Sequence, residues 1–264
     1  MNKITLIIAL LLIGGIFSSR AQLKIGGKTI KTDKILKATG DAVTAMTLSD
    51  EDIARLSREA VDLMDAKNTI AGDDTEYGQR LRRLTTGITQ VNGMKLNFKV
   101  YRTKDINAFA CGDGSIRVFS ALMDVMDDDE LMGIIGHEIG HVVNTDIKDA
   151  MKNAYLASAA RNAISATDGK VAKLTDSQLG DLVNSFTSAQ FSQKQEFAAD
   201  DYGFQFCIDQ GFSPYGMSNS LSKLVGISKG SKPSMVQKMF SSHPDSEKRA
   251  ARIKEKADAY VAAQ

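Results

Sequence analysis

Cysteine and histidine are scarce in this sequence, and neither sign of charge dominates. Only two cysteines, Cys111 and Cys207, occur in 264 residues, which excludes a disulfide scaffold and a four-thiolate zinc site. Only three histidines occur, His137, His141 and His243, so any histidine chemistry must draw on them. With 33 Lys and Arg against 32 Asp and Glu the formal charge is +1. That balance offers no electrostatic footprint for nucleic acid or an anionic membrane surface. A hydrophobic content of 43% and a charged content of 25% are ordinary for a globular chain and exclude wholesale disorder, collagen-like repeats and a polytopic membrane protein.

The N-terminus has the layout of a secretory signal peptide. Lys3 supplies a short positive region, residues 4–17 form an uncharged apolar run, and Ser18-Ser19-Arg20-Ala21 offers small residues before a cleavage point. The run is short for a membrane span of about 20 residues, so cleavage after Ala21 is expected. No cysteine follows the run, which leaves no acceptor thiol for a lipoprotein anchor. The expected organisation is a signal peptide at 1–21 and one domain at 22–264, with 22–48 as an N-terminal extension. The compartment is extracytoplasmic, most simply the periplasm, where contact with the cell envelope would be peripheral.

The pattern after Ala21 is mainly helical. Residues 22–40 suggest a hairpin followed by a helix. Ser49 and Asp52 form a variant capping box ahead of Ile53, Leu56, Ala60, Leu63 and Met64, which share one helical face. A second helix is expected from about Asp74 to Gln90. Asn92-Gly93 is a turn signal, with Leu96, Phe98 and Val100 alternating behind it. The stretch from Ile106 to Cys111, the turn Gly112-Asp113-Gly114 and then Ile116 and Val118 complete a small antiparallel sheet. Acids at 127–130 open a helix to about Asn144. Residues 148–166 read as helix, and residues 167–192 read as a loose Ser/Thr/Gln-rich stretch. A strong helix spans about Gln193 to Gln210, with Gly211 behind it. Pro214 restarts a helix to about Ile227, 229–233 is a linker, and Pro244 opens the last helix.

Chemistry concentrates at His137-Glu138-Ile139-Gly140-His141. The i, i+4 spacing puts both imidazoles on one helical face, one turn apart, where they can share a metal, and Glu138 stands beside them. Gly133, Gly136 and Gly140 in the same helix each cost about 1 kcal/mol against alanine, a cost that suggests close approach of another backbone. Small residues Ala198, Ala199 and Gly203 match them on the helix from Gln193. That helix carries Glu196 and Asp200 at i, i+4. Glu196 completes a two-histidine, one-carboxylate site with an open fourth position. Asp200 accepts the other ring N–H of a zinc histidine, with Asp201 as its rival at about 100° around the helix. For His243, before Pro244, a fourth ligand would close the open position, so donation to a developing oxyanion is the expected role. Arg249 either orients nearby carboxylates or is an exposed helix charge.

These residues resemble secreted gluzincin metalloendopeptidases of the Ste24/HtpX type, and within them the bacterial periplasmic LoiP (YggG) group. The resemblance is carried by Leu48-Ser49-Asp50, Asn107-Ala108-Phe109-Ala110, Ile116-Arg117-Val118, His137 to His141, Phe191-Ser192-Gln193 through Asp200, and Ser242-His243-Pro244 with Arg249. It implies an α+β, mainly helical, zincin-like fold whose small antiparallel sheet packs on the active-site helices. It also implies one Zn2+ per chain on His137, His141 and Glu196, Glu138 as general base, Asp200 behind the ligands, and His243 and Arg249 on the substrate side. The implied reaction is hydrolysis of peptide bonds in polypeptide substrates, misfolded or unfolded envelope proteins, by a zinc-activated water. The strand at Asn107, Ala108 and Phe109 would pair with an extended peptide. The chain departs from its LoiP relative in lacking the lipid-accepting cysteine.

Two other readings stand beside this one. An exopeptidase would need capture of a free terminus, which nothing in the sequence specifies. A periplasmic chaperone or assembly factor with a little-used zinc site would use residues 148–192 to bind partners, and its holding activity would survive Glu138→Gln. The two cysteines are expected to be unpaired, Cys207 buried and Cys111 near the active-site rim, because Cys207 lies about 10 Å along its helix from Asp200. Oligomeric state leaves no trace in the sequence.

Overall fold

The structure is a computed structural model that describes residues 22–25, 28–31, 48–162, 173–230, 233–244 and 246–264. The expected signal peptide and the helix expected within 22–40 lie outside the described residues. The chain divides into two units, 1–40 and 41–264. In the first, β1 (Gln22–Ile25) and β2 (Lys28–Lys31) form the expected antiparallel hairpin.

The second unit begins with α1 (Asp50–Lys67). Ser49 accepts from the Asp52 amide while the Asp52 side chain accepts from Ser49, the reciprocal cap that the sequence announces. Ile53, Leu56, Ala60 and Met64 are buried on its inner face, whereas Leu63 is half-buried. The second helix, α2 (Glu76–Thr85), is shorter than expected at both ends. Thr75 caps it, and Gly87 takes a left-handed φ of 87° just beyond it, leaving Ile88 outside the helix. Asn92 and Gly93, both at positive φ, turn the short pair β3 (Gln90–Val91) and β4 (Met94–Lys95).

The main sheet departs from the expectation. Strands β5 (Asn97–Tyr101), β6 (Ala108–Ala110) and β7 (Ser115–Phe119) lie in the order β5-β7-β6. The β6–β7 hairpin is antiparallel, but β5 runs parallel to β7, so the sheet is mixed. The reason is topological. The tight turn over Gly114 commits β6 to one edge of β7, and β5 can then pair only with the other edge. Strand β6 is left as an edge strand.

Helices α3 (Ser120–Val125), α4 (Asp128–Val143), α5 (Asp146–Asn162), α6 (Asp176–Thr187), α7 (Gln193–Asp209) and α8 (Gly216–Lys229) follow. Helix α5 begins two residues before the expected 148, and within 167–192 only α6 takes shape among the described residues. Pro233–Met235 forms a 3-10 turn, and α9 (Gln237–Ser242) is a short helix that the sequence did not announce. Helix α10 (Ser246–Ala262) closes the chain.

One ionic cluster fixes α1 to the sheet. The Asp65 carboxylate accepts from Tyr101 Oη at 2.6 Å, Lys99 Nζ at 2.7 Å, and Arg117 Nε and Nη2 at 2.9 and 3.1 Å. Arg117 is 1% exposed and also donates to Asn97. Burial pushes the Asp65 pKa up, but these hydrogen bonds outweigh it and bring it down to about 2. Replacing Asp65 by Asn strands the buried Arg117 charge and is expected to cost about 3 kcal/mol at pH 7. Because the folded pKa is depressed, the stabilisation is complete above the unfolded value. Chemical denaturation of both proteins should therefore show the gap closing as pH falls from about 4 to 2. A gap independent of pH would contradict an ionic origin.

Candidate metal centre

The site is built on two helices whose backbones nearly touch. A Cβ added at Gly140 would lie 3.0 Å from Ala199 Cα, and one at Gly136 would lie 3.0 Å from Gly203 Cα. The Cβ of any larger residue at either position would therefore force α4 and α7 apart. Gly133 makes the same kind of approach to Met217 of α8, at 2.7 Å. Ala198 is exposed and takes no part in the contact. Capping boxes set both helices: Asp127 with Glu130 starts α4, and Ser192 with Gln195 starts α7.

On this frame His137, His141, Glu196 and His243 bring one donor atom each to within 4.8 Å of one another, all buried. His137 Nε2 and His141 Nε2 are 3.0 Å apart. Glu196 Oε1 lies 3.5 Å from His141 Nε2, and Glu196 Oε2 lies 3.7 Å from His137 Nε2. The far nitrogens are both held by carboxylates: His137 Nδ1 by Asp200 Oδ1 at 2.9 Å and His141 Nδ1 by Asp146 Oδ2 at 2.9 Å. A carboxylate only accepts, so each Nδ1 carries a proton and each Nε2 turns its other side toward the same point.

Nitrogens and a carboxylate crowded at one point need positive charge among them, as protons on the imidazoles or as a metal ion. Burial lowers the His141 pKa, but hydrogen bonds to Asp146 and Glu196 outweigh this and raise it to about 9. His137 is lowered by burial and by the neighbouring His141 charge. Burial would raise Glu196, but the charge of His243 and hydrogen bonds from His141 and His243 hold it well below the usual carboxylate range. The donor set therefore fits a divalent metal. Atoms about 2.1 Å from a tetrahedral ion stand about 3.4 Å from one another, close to the separations in this cluster.

Several expectations need correction. His243 Nδ1 lies 2.9 Å from Glu196 Oε1 and 3.3 Å from His137 Nε2. Its ring stands among the clustered donor atoms and also lines the neighbouring cavity. Arg249 does not face substrate. It is 1% exposed and donates to Asp200 from Nε at 2.8 Å and from Nη2 at 2.6 Å, and its Nη1 pairs with Glu196 Oε2. A guanidinium enclosed by two carboxylates has no reason to turn to the cavity. Burial alone would raise the Asp200 pKa, but Arg249 and His137 bring it below the usual value. Asp201 points elsewhere and pairs with Arg252 and Lys256. Both cysteines are unpaired, but Cys111 is fully buried instead of standing at the rim, and burial pushes its thiol pKa up.

The cluster opens onto a cavity of about 480 Å³. Glu138 and His243 line it together with Asn107, Ala108 and Phe109. Glu138 Oε1 and Asn107 Oδ1 are buried atoms without a hydrogen-bond partner, two acceptors left for something the cavity admits. The Asn107 carbonyl accepts from Phe119, and the Cys111 amide donates to Ser115. The alternation of an antiparallel pair then turns the amides and carbonyls of Ala108 and Ala110 away from β7, to the open edge.

The model of peptidase family M48 matches residues 78–257. The chain belongs to that family. It is 39% identical to metalloprotease LoiP of Escherichia coli (strain K12) over 242 residues, 91% of this chain and 94% of LoiP. It is 38% identical to metalloprotease YcaL of the same organism over 228 residues, 86% of this chain and 88% of YcaL. The beta-barrel assembly-enhancing protease of that organism is 28% identical over 181 residues, 65% of this chain but 37% of that protein. This M48 chain is accordingly a metalloendopeptidase, with the mainly helical α+β fold described above.

Sequence reasoning did not find Asp146, whose signal was weak. Helix α4 ends at Val143, and Thr145 takes φ 65°, a left-handed position where Gly or Asn is the usual choice. This reversal starts α5 at Asp146 and returns the carboxylate to His141. We expect Asp146→Asn and Asp200→Asn each to weaken metal affinity by about 10–100-fold, read by competition with a chromophoric chelator. Wild-type affinity in both variants would contradict these roles.

Proposed function

We propose that this chain is an exported zinc metalloendopeptidase that hydrolyses peptide bonds in unfolded segments of extracytoplasmic proteins. The observation that carries the proposal is the convergence of His137 Nε2, His141 Nε2 and Glu196 at one point beside the Glu138 carboxylate, on a cavity bordered by an open strand edge.

His137, His141 and Glu196 would hold the metal, and two imidazoles with one carboxylate are a donor set typical of zinc. When bound, zinc supplies a polarised substrate carbonyl and an acidified water. Glu138 takes the proton released as water attacks the scissile carbonyl, and later delivers it to the leaving amine. Its Oε1, buried and without a partner, is free for that proton. Asp146 and Asp200 keep both imidazoles in the liganding tautomer, and Arg249 neutralises the charge of Asp200 and Glu196 from behind. A fourth protein donor would close the site to substrate. His243, whose ring lines the cavity, is therefore assigned as the donor to the developing oxyanion.

An extended peptide adds to the open edge of β6, pairing with the backbone of Ala108 and Ala110, with the Asn107 side chain beside it. Main-chain pairing reads backbone and not sequence, which favours broad specificity and an unfolded substrate. The basis for export is the apolar run before Ala21. No helix among the described residues is long and apolar enough to cross a membrane.

Glu138→Gln should abolish cleavage of an unfolded protein while the variant still binds one equivalent of zinc, since Glu138 is not a ligand. Loss of zinc from the variant, or undiminished cleavage, would contradict the division of roles between base and ligands. End-blocked peptides should be cleaved, which an exopeptidase would not do. N-terminal sequencing of the protein recovered from the cell envelope should read from Gln22, and a chain still beginning at Met1 would contradict export with cleavage.

A further inference from the structure

We propose that Phe191 is a positioning residue for the metal centre: its ring holds the His141 imidazole in the liganding orientation by stacking on it. The proposal rests on the metal-site reading above. The Phe191 and His141 rings are stacked at 4.0 Å between centroids with 18° between planes. The same ring stands 5.3 Å from the His243 ring at 32°, and the Phe191 amide donates to Ser242 O at 3.2 Å. One residue thus abuts two of the three histidines of the cluster, although it has no atom able to bind a metal.

Its placement has a local cause. Phe191 precedes Ser192, the N-cap of α7, and Gln195 is the third residue of that helix. An apolar residue at this position usually packs on the fourth helical residue. In this chain the fourth residue is Glu196, whose carboxylate belongs to the metal cluster. The ring therefore lacks the usual apolar partner at that position and lies on His141 instead.

The stacking supplies a restraint that Asp146 cannot. A single hydrogen bond to Nδ1 fixes the direction of that nitrogen but leaves the ring plane free to rock about it. A flat aromatic face against the imidazole removes that freedom. Phe191 also borders both the cavity of about 480 Å³ and a second cavity of about 240 Å³ that Asp146 helps to line. The ring therefore touches both the second cavity and the ligand that Asp146 supports.

The test uses the full chain loaded with zinc and measures the rate of zinc transfer to a chromophoric chelator, a readout independent of peptide hydrolysis. Phe191→Leu keeps an apolar side chain of similar bulk but removes the flat face, and should release zinc about tenfold faster or more, the size expected for loss of an outer support. Phe191→Tyr keeps the face and should release zinc at the wild-type rate. Equal rates for Leu and wild type would overturn the proposal while leaving the metal site standing. A Tyr variant as fast as Leu would show that the aromatic face is not what holds His141 and would overturn it too. A wild-type chain that binds no zinc would overturn both this proposal and the reading beneath it.

Discussion

Everything at the site depends on two helices lying closer than side chains normally permit. Gly136 and Gly140 of α4 meet Gly203 and Ala199 of α7 across a contact that leaves no room for another Cβ. Only at that spacing do imidazoles from one helix and carboxylates from the other reach a common point. The cost is several helical glycines, each weakening its helix by about 1 kcal/mol, and it is offset by burial along the shared face. The capping boxes at Asp127 and Ser192 fix where each helix begins, and so set the register in which His137 faces Asp200.

The charges around that point form layers of alternating sign. Arg249 supports Asp200, Asp200 supports His137, and Asp146 supports His141. Each of these three links places a partner behind a buried group, as an apolar interior requires. At the centre, the imidazole nitrogens of His137 and His141 and the Glu196 carboxylate form a donor set suited to a divalent cation. The same logic holds the sheet, where Asp65 gathers Arg117, Lys99 and Tyr101. There the cluster is complete in itself, so its role is structural.

Much of this was legible in the residues alone. His137, Glu138 and His141 announced themselves by spacing, and Glu196 and Asp200 by repeating that spacing on a helix with matching small residues. Helix starts were readable at the Ser49 capping box and at the acids near Asp127, whereas the Thr175 box that opens α6 went unread in a Ser/Thr/Gln-rich stretch. What escaped had physical reasons. Asp146 is delivered by a left-handed Thr145, a conformation that threonine rarely adopts and that no local pattern marks. Arg249 holds the carboxylates of Asp200 and Glu196, one of the two roles the residues suggested, whereas the substrate-side role came only from the family resemblance. The parallel pairing of β5 with β7 followed from which edge the β6–β7 hairpin occupied, a decision made in three dimensions. Cys111 read as a rim residue because its strand ends near the cavity, yet its side chain is buried in the core.

The central claim is that Asp200 and Asp146 lock His137 and His141 with protonated Nδ1 atoms, so that both Nε2 atoms face one metal. Long-range proton–nitrogen correlation spectra of the zinc-loaded protein test this directly, because the two ring nitrogens of each histidine resolve by protonation and by metal contact. The account predicts Nδ1–H tautomers for His137 and His141, with both Nε2 resonances shifted by the metal. An Nε2–H tautomer at either residue, or spectra unchanged by zinc, would contradict it.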